Sequence, residues 1–161
     1  MGNKINTKYI GHHISSGGFI FYLDEKEQQV YTLLIRNKKN ELWICKGHIE
    51  NGENQVDAAL REFNEETGLD SKYLKYIGLC KKISYSFEEF GGKNTKDVYI
   101  HVFKCSEKIN LSKNIGVENI VEIDWYKYED AIDKISYNKE ELVKAYRMFL
   151  ERRLKFNNCF L

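Results

Sequence analysis

The chain has 161 residues and a mass of 19.0 kDa, the size of one ordinary domain and enough to bury an apolar core without covalent staples. With 42% hydrophobic and 30% charged residues it does not have the composition of a disordered chain. Its 25 Lys and Arg against 24 Asp and Glu leave a formal charge of +1, so no global field draws it to nucleic acid or to a membrane. The longest apolar stretches, 19–23 and 30–35, fall far short of the roughly 20 residues that span a bilayer. A single soluble domain over residues 1–161 is expected.

In chain order, the N-terminus (Met1-Gly2-Asn3-Lys4-Ile5-Asn6) carries neither the apolar segment of a secretory signal nor the Arg-rich pattern of a transit peptide, so a cytoplasmic address is expected. Asn6 stands where a myristoylation motif wants Ser or Thr. Beta-branched and aromatic enrichment predicts strands near 13–23, 30–35, 42–46, 76–87, 98–105 and 120–126. Between the third and fourth lies a helix over 54–67, with Val56, Leu60, Phe63 and Thr67 as its buried stripe and Gly68 as its stop. Residues 90–94 read as a loop, and their GGK is no P-loop because neither Ser nor Thr follows. Helices over 129–135 and 139–155 close the chain, the second with Leu142, Val143, Tyr146, Phe149, Leu150 and Leu154 on one side.

No proline occurs, and no linker, repeat or domain boundary is visible. Cys45, Cys80, Cys105 and Cys159 are dispersed with no CxxC pair, which predicts reduced thiols and no structural zinc site. Strands alternating with a helix and followed by closing helices predict a mixed sheet covered on two sides; the pattern alone leaves α/β and α+β open.

The chemistry concentrates in 47–69. At about 100° per residue, Glu62, Glu65 and Glu66 fall within an arc of roughly 100°, centred about 120° from the Val56/Leu60/Phe63 stripe. Like charges so close raise one another's pKa unless a cation offsets them, and a hard divalent ion that prefers oxygen would do so. The spacing is Gly47, five residues, Glu53, seven residues, Arg61-Glu62-Phe63, one residue, Glu65-Glu66, one residue, Gly68-Leu69. It matches every defined position of GX5EX7REUXEEXGU, with U a bulky apolar residue. On these residues the chain resembles the Nudix hydrolase family. The likeness extends upstream to the strand-like 16–20 and to Leu42-Trp43-Ile44-Cys45-Lys46-Gly47, similar to the family's WxxPKG lead-in with Cys45 in place of Pro.

The resemblance implies an α/β/α sandwich and Mg²⁺-dependent hydrolysis of nucleoside diphosphate derivatives, with Mn²⁺ as a substitute. It implies Glu62, Glu65, Glu66 and the Gly47 carbonyl as metal ligands, Arg61 as the residue that orients them, and Glu53 as support that also helps cap the helix. The general base stays open between a box glutamate such as Glu65 and an outside carboxylate among Glu88, Glu89, Glu107, Glu118 and Glu122, of which Glu118 is favoured because it precedes Trp125.

Tyr85, sixteen residues beyond Leu69, stands about where relatives that cleave dinucleoside polyphosphates carry a Tyr, and the chain lacks the SQPWPxS array of NADH-cleaving relatives. Tyr85, Lys46 and Lys81 are therefore the candidate substrate contacts, with Lys82 and Lys93 as further phosphate partners. A small-molecule nucleotide is the expected partner, diadenosine tetraphosphate first. Nucleoside triphosphates or an RNA 5′ end are the alternative, and a non-catalytic nucleotide-binding module is the third reading. Near-neutral charge argues against dedicated RNA binding, although Arg147, Arg152, Arg153 and Lys155 concentrate positive charge near the C-terminus.

Overall fold

The structure is a computed structural model and describes residues 11–89, 91–111 and 119–158. Its organising strand is β1 (His12–Asp24), along which Phe19 and Phe21 point to one face and Ile20 to the other, all three buried. Over His12–Phe21 this strand pairs in parallel with β6 (Gly92–Cys105). Two antiparallel partners divide its other edge: Ser15–Gly18 takes β4 (Cys45–His48), and Phe21–Asp24 takes β2 (Gln29–Asn37). β2 carries β7 (Ile120–Lys127) and the two-residue β3 (Leu42–Trp43), and β6 carries β5 (Leu74–Glu89). The result is one mixed seven-stranded sheet.

Side-chain alternation gives the sheet two apolar faces. One is covered by α1 (Gln55–Thr67), whose Ala59 and Phe63 pack on Ile20, Leu33, Cys45 and Phe103; the Phe63 and Phe103 rings meet edge to face at 5.2 Å. The other lies under α2 (Tyr128–Lys134) and α3 (Lys139–Asn158), where Ala131, Leu142, Ala145 and Phe149 meet Phe19, Phe21, Leu34 and Val102. Each fully buried phenylalanine contributes about 2 kcal/mol of transfer free energy. The architecture is the α/β/α sandwich that the resemblance implies. Among the described residues no helix is long and apolar enough to cross a membrane.

Four details differ from the sequence reading. The strand expected over 42–46 divides at Ile44, because the chain leaves β2 after Trp43 and joins β1 at Cys45. The loop expected over 90–94 is narrower, since β5 runs to Glu89 and β6 begins at Gly92. Leu154, expected on the buried side of the last helix, is 60% exposed, because the helix runs on past its last buried contact at Phe149.

The fourth concerns α1. Asn54 caps it rather than beginning it, its side chain accepting from the Asp57 N–H at 2.9 Å, and Gly68 closes it at φ 72°. Its buried face is Ala58, Ala59, Glu62, Phe63, Glu66 and Thr67, with Val56 and Leu60 only partly covered. The helix is thus rolled so that two of its glutamates go inward.

Candidate active site

The roll of α1 is fixed from β1 and β4. Ser16 Oγ donates to the Gln55 carbonyl at 2.6 Å, pinning the first turn to β1. Directly opposite Ser16 in the strand register, Gly47 of β4 lies so close to Glu62 that any Cβ there would fall on the glutamate's carboxylate. Glycine at the first box position is therefore a packing requirement. A turn further along the helix, Cys45 Sγ donates to Glu66 Oε2 at 2.6 Å. Glu62 and Glu66 are 7% and 3% exposed, so both carboxylates lie largely out of water.

Arg61 holds the opposite edge. Its Nε and Nη2 grip the two oxygens of Glu53 at 2.8 and 3.0 Å, and its Nη1 reaches Glu62 at 2.8 Å and Glu65 at 3.0 Å. Nη2 also donates to the His48 carbonyl at 2.8 Å, tying helix to strand. Donation to Glu53 and Glu62 pushes the guanidinium pKa up, and the same bonds from Arg61 hold Glu53 below the usual carboxylate range. Burial, reinforced by the Glu66 charge, pushes the Cys45 thiol well up, so it stays a protonated donor. Glu53 accepts from the Glu50 N–H and from Arg61, so capping of the helix falls to Asn54 instead.

Among the described residues, no three His, Cys, Asp or Glu side chains converge closely enough to hold an ion in this conformation. In this conformation Arg61 Nη1 bonds both Glu62 and Glu65, and Cys45 of β4 bonds Glu66. By donor chemistry the set still suits a hard divalent cation. Glu50, Glu53, Glu62 and Glu65 surround one guanidinium, and all their donors are oxygens.

Beside the box lies a slot of about 360 Å³ lined by Trp43, Lys46, Ile83, Tyr85, Val98 and Tyr137. Cys45 packs toward α1, so the next residue, Lys46, emerges on the other face, and Gly47 follows at the box. Lys46 Nζ stands 4.8 Å over the Trp43 ring, and Trp43 and Tyr137 are 6.2 Å apart. The buried Trp43 Nε1 has no hydrogen-bond partner among the described residues. Tyr85 is 46% exposed, with burial of its remainder pushing its phenol pKa up. Two sequence candidates, Lys46 and Tyr85, are therefore brought together. Trp43 and Tyr137 were not singled out: Trp43 carried only its place in the lead-in, and Tyr137, between the last two helices, carried no signal.

Lys81 does not line this slot; its Nζ sits 3.3 Å from Glu141 of α3. Lys82 likewise pairs with Asp97 at 3.3 Å. Of the outside carboxylates, Glu122 pairs with Arg36 at 3.0 Å and Glu107 follows the far end of β6. Glu88 and Glu89 end β5 at the box side, where Phe87 touches His13 and His13 touches His48. Glu118 lies outside the described residues.

A family model for the NUDIX domain matches residues 13–149. An RNA pyrophosphohydrolase of Ruthia magnifica is 30% identical over 143 residues, covering 78% of this chain and 77% of that protein. The mRNA-decapping protein g5R of African swine fever virus is 32% identical over 120 residues, covering 72% of this chain but only 42% of its own length. Among solved structures, an Ap4A hydrolase of C. elegans superposes with a TM-score of 0.63 over 86% of this chain and 98% of that one, at 19% identity. The chain belongs to the NUDIX family, and it is a Nudix pyrophosphohydrolase.

Proposed function

We propose that the chain hydrolyses a phosphoanhydride bond in a dinucleoside polyphosphate, with diadenosine tetraphosphate as the leading substrate and AMP plus ATP as products. The observation that carries this reading is the aromatic slot of Trp43, Tyr85 and Tyr137, with Lys46 at its mouth and Gly47 next in the chain. The rings offer stacking faces for a base and the unpartnered Trp43 Nε1 offers a donor. Lys46 then meets the first phosphates, and the rest of the bridge crosses β4 to the box.

Mg²⁺, with Mn²⁺ as a substitute, would be held by Glu62, Glu65, Glu66 and the Gly47 carbonyl, and when bound it neutralises the bridge and acidifies water. Arg61 orients Glu62 and Glu65 while Glu53 steadies Arg61. Glu65, whose side chain is 55% exposed, takes the proton of the attacking water at a carboxylate oxygen. Glu118 is the alternative base. A cytoplasmic setting belongs to the same proposal, supported by the free thiols of Cys45, Cys80 and Cys105.

RNA 5′ ends are the second reading, favoured by the likeness to an RNA pyrophosphohydrolase and an mRNA-decapping protein at 30% and 32% identity. Product chromatography with wild type and Glu65→Gln on diadenosine tetraphosphate, nucleoside triphosphates, ADP-ribose, NADH and 5′-triphosphorylated RNA separates the readings. Fastest cleavage of the dinucleotide, lost in Glu65→Gln and slowed in Tyr85→Ala, supports the proposal. Preference for RNA, with Tyr85→Ala indifferent, replaces the substrate; an active Glu65→Gln removes the role given to Glu65.

A further inference from the structure

A second concavity lies at the opposite end of the sheet. The first residues of β1, His12 and His13, line the cleft beside the box loop, whereas Leu23 lines this other pocket. Eleven strand residues at 3.3 Å each separate the two by roughly 35 Å. The pocket encloses about 260 Å³ over an apolar floor of Leu23, Ile77 and Phe149. Its walls are Lys75 of β5, Lys104 of β6 and Arg152 and Arg153 of α3, with Glu25 as the lining carboxylate. Of the four C-terminal cations noted in the sequence, Arg147 and Lys155 do not line it.

Two features set these cations apart from an ordinary solvated surface. Lys75 and Lys104 are directly opposite in the antiparallel β5–β6 register, an arrangement in which like charges destabilise the sheet. Lys104 and Arg153 also form no ion pair among the described residues. Three separate elements therefore bring positive charge to one small hollow, two of its four cations without an ion pair among the described residues.

We propose that this pocket is a binding site for a short polyphosphate, either free or as the tail of a nucleotide, independent of the Nudix box. Guanidinium forks and ammonium groups are the side chains that match phosphate oxygens, and a ligand with several negative charges answers four cations. At about 260 Å³ the hollow is smaller than a typical site for a whole ligand, so it takes the phosphates and leaves a nucleoside outside.

The test is a titration of ¹⁵N-labelled protein with inorganic tripolyphosphate in EDTA at low salt, where the box lacks any divalent ion to bridge it to an anion. Saturable shifts are expected at the amides of Ile77, Lys104 and Arg153, with affinity at least tenfold weaker in Lys104→Glu/Arg153→Glu. Lys104→Gln gives an independent readout. It should raise the melting temperature of the free protein by relieving the Lys75–Lys104 repulsion, and lessen its stabilisation by tripolyphosphate. ATP shifting the same amides identifies a nucleotide tail as a source; tripolyphosphate alone doing so identifies free polyphosphate. No saturable shift, unchanged affinity in the double variant, or binding only of an RNA oligonucleotide lacking terminal phosphates would overturn the proposal. None of these outcomes bears on hydrolysis at the box.

Discussion

Cys45 and Glu66 are joined by a thiol-to-carboxylate hydrogen bond of 2.6 Å that links the strand opening the box to the helix that carries it. In the lead-in motif this position is usually Pro, which has no donor to give. Cys45→Ala leaves a nearly buried carboxylate oxygen short of one hydrogen bond, a loss of about 1 kcal/mol or roughly fivefold in an equilibrium. The Mg²⁺ concentration for half-maximal turnover should shift by about that factor, and Cys45→Ser should restore it. Metal titrations that superimpose for wild type and Cys45→Ala would show that the bond does not position Glu66.

Arg61 is the hub of the same network, and its role separates into stability and activity. Arg61→Ala strips Glu62, whose side chain is 9% exposed, of its cation and should cost about 3 kcal/mol in urea denaturation. Arg61→Lys keeps the charge but cannot reach Glu53, Glu62, Glu65 and the His48 carbonyl together, so it should recover part of the stability and little of the turnover. Full activity in the lysine variant would reduce Arg61 to a charge.

At Gly47 the expected effect is local. A methyl group there displaces the Glu62 carboxylate, while the neighbouring β1–β4 pairs survive. Gly47→Ala should therefore keep the circular dichroism of wild type and lose at least tenfold in kcat.

Acid sensitivity is expected at Asp97, which accepts from Ser84 Oγ at 2.6 Å and lies 3.3 Å from Lys82 and 3.1 Å from His12. The Ser84 hydrogen bond first, then Lys82 and His12, hold its carboxyl below the ordinary value of 3.8. Its contribution to stability is therefore complete above that value and lost as pH falls through the lower value of the folded state. Asp97→Asn should melt below wild type near neutral pH, and the gap should close as acid protonates Asp97. A gap that is constant with pH would assign the loss to packing.

The box, the family and the sandwich were legible because they are written along the backbone, in spacing and in the two side-chain periods. The orientation of α1 was not. Its glutamates were expected opposite a Val56/Leu60/Phe63 stripe, yet Ala58 and Ala59 pack closely enough to roll Glu62 and Glu66 inward. Glu62 can turn in because Gly47 has no side chain, and Glu66 because Cys45 offers a proton, and both conditions depend on strand pairing. The slot beside the box shows the same limit. Lys46 and Tyr85 were picked out singly, whereas Trp43 and Tyr137 join them only when the segment between α2 and α3 folds back.

The parallel pairing of β1 with β6 also shapes how the chain finds its fold. His12 and Thr95, partners at its start, are 83 residues apart, so the central pair of the sheet closes only after most of the chain has been made and brought around. Such distant pairing sets folding in the millisecond-to-second range typical of high contact order. Because the chain contains no proline, refolding of a long-unfolded sample should lack the tens-of-seconds phase that X–Pro isomerisation imposes. Until that closure the β1 segment, with Phe19, Ile20 and Phe21 in succession, is the sticky edge on which chaperones or aggregation would act.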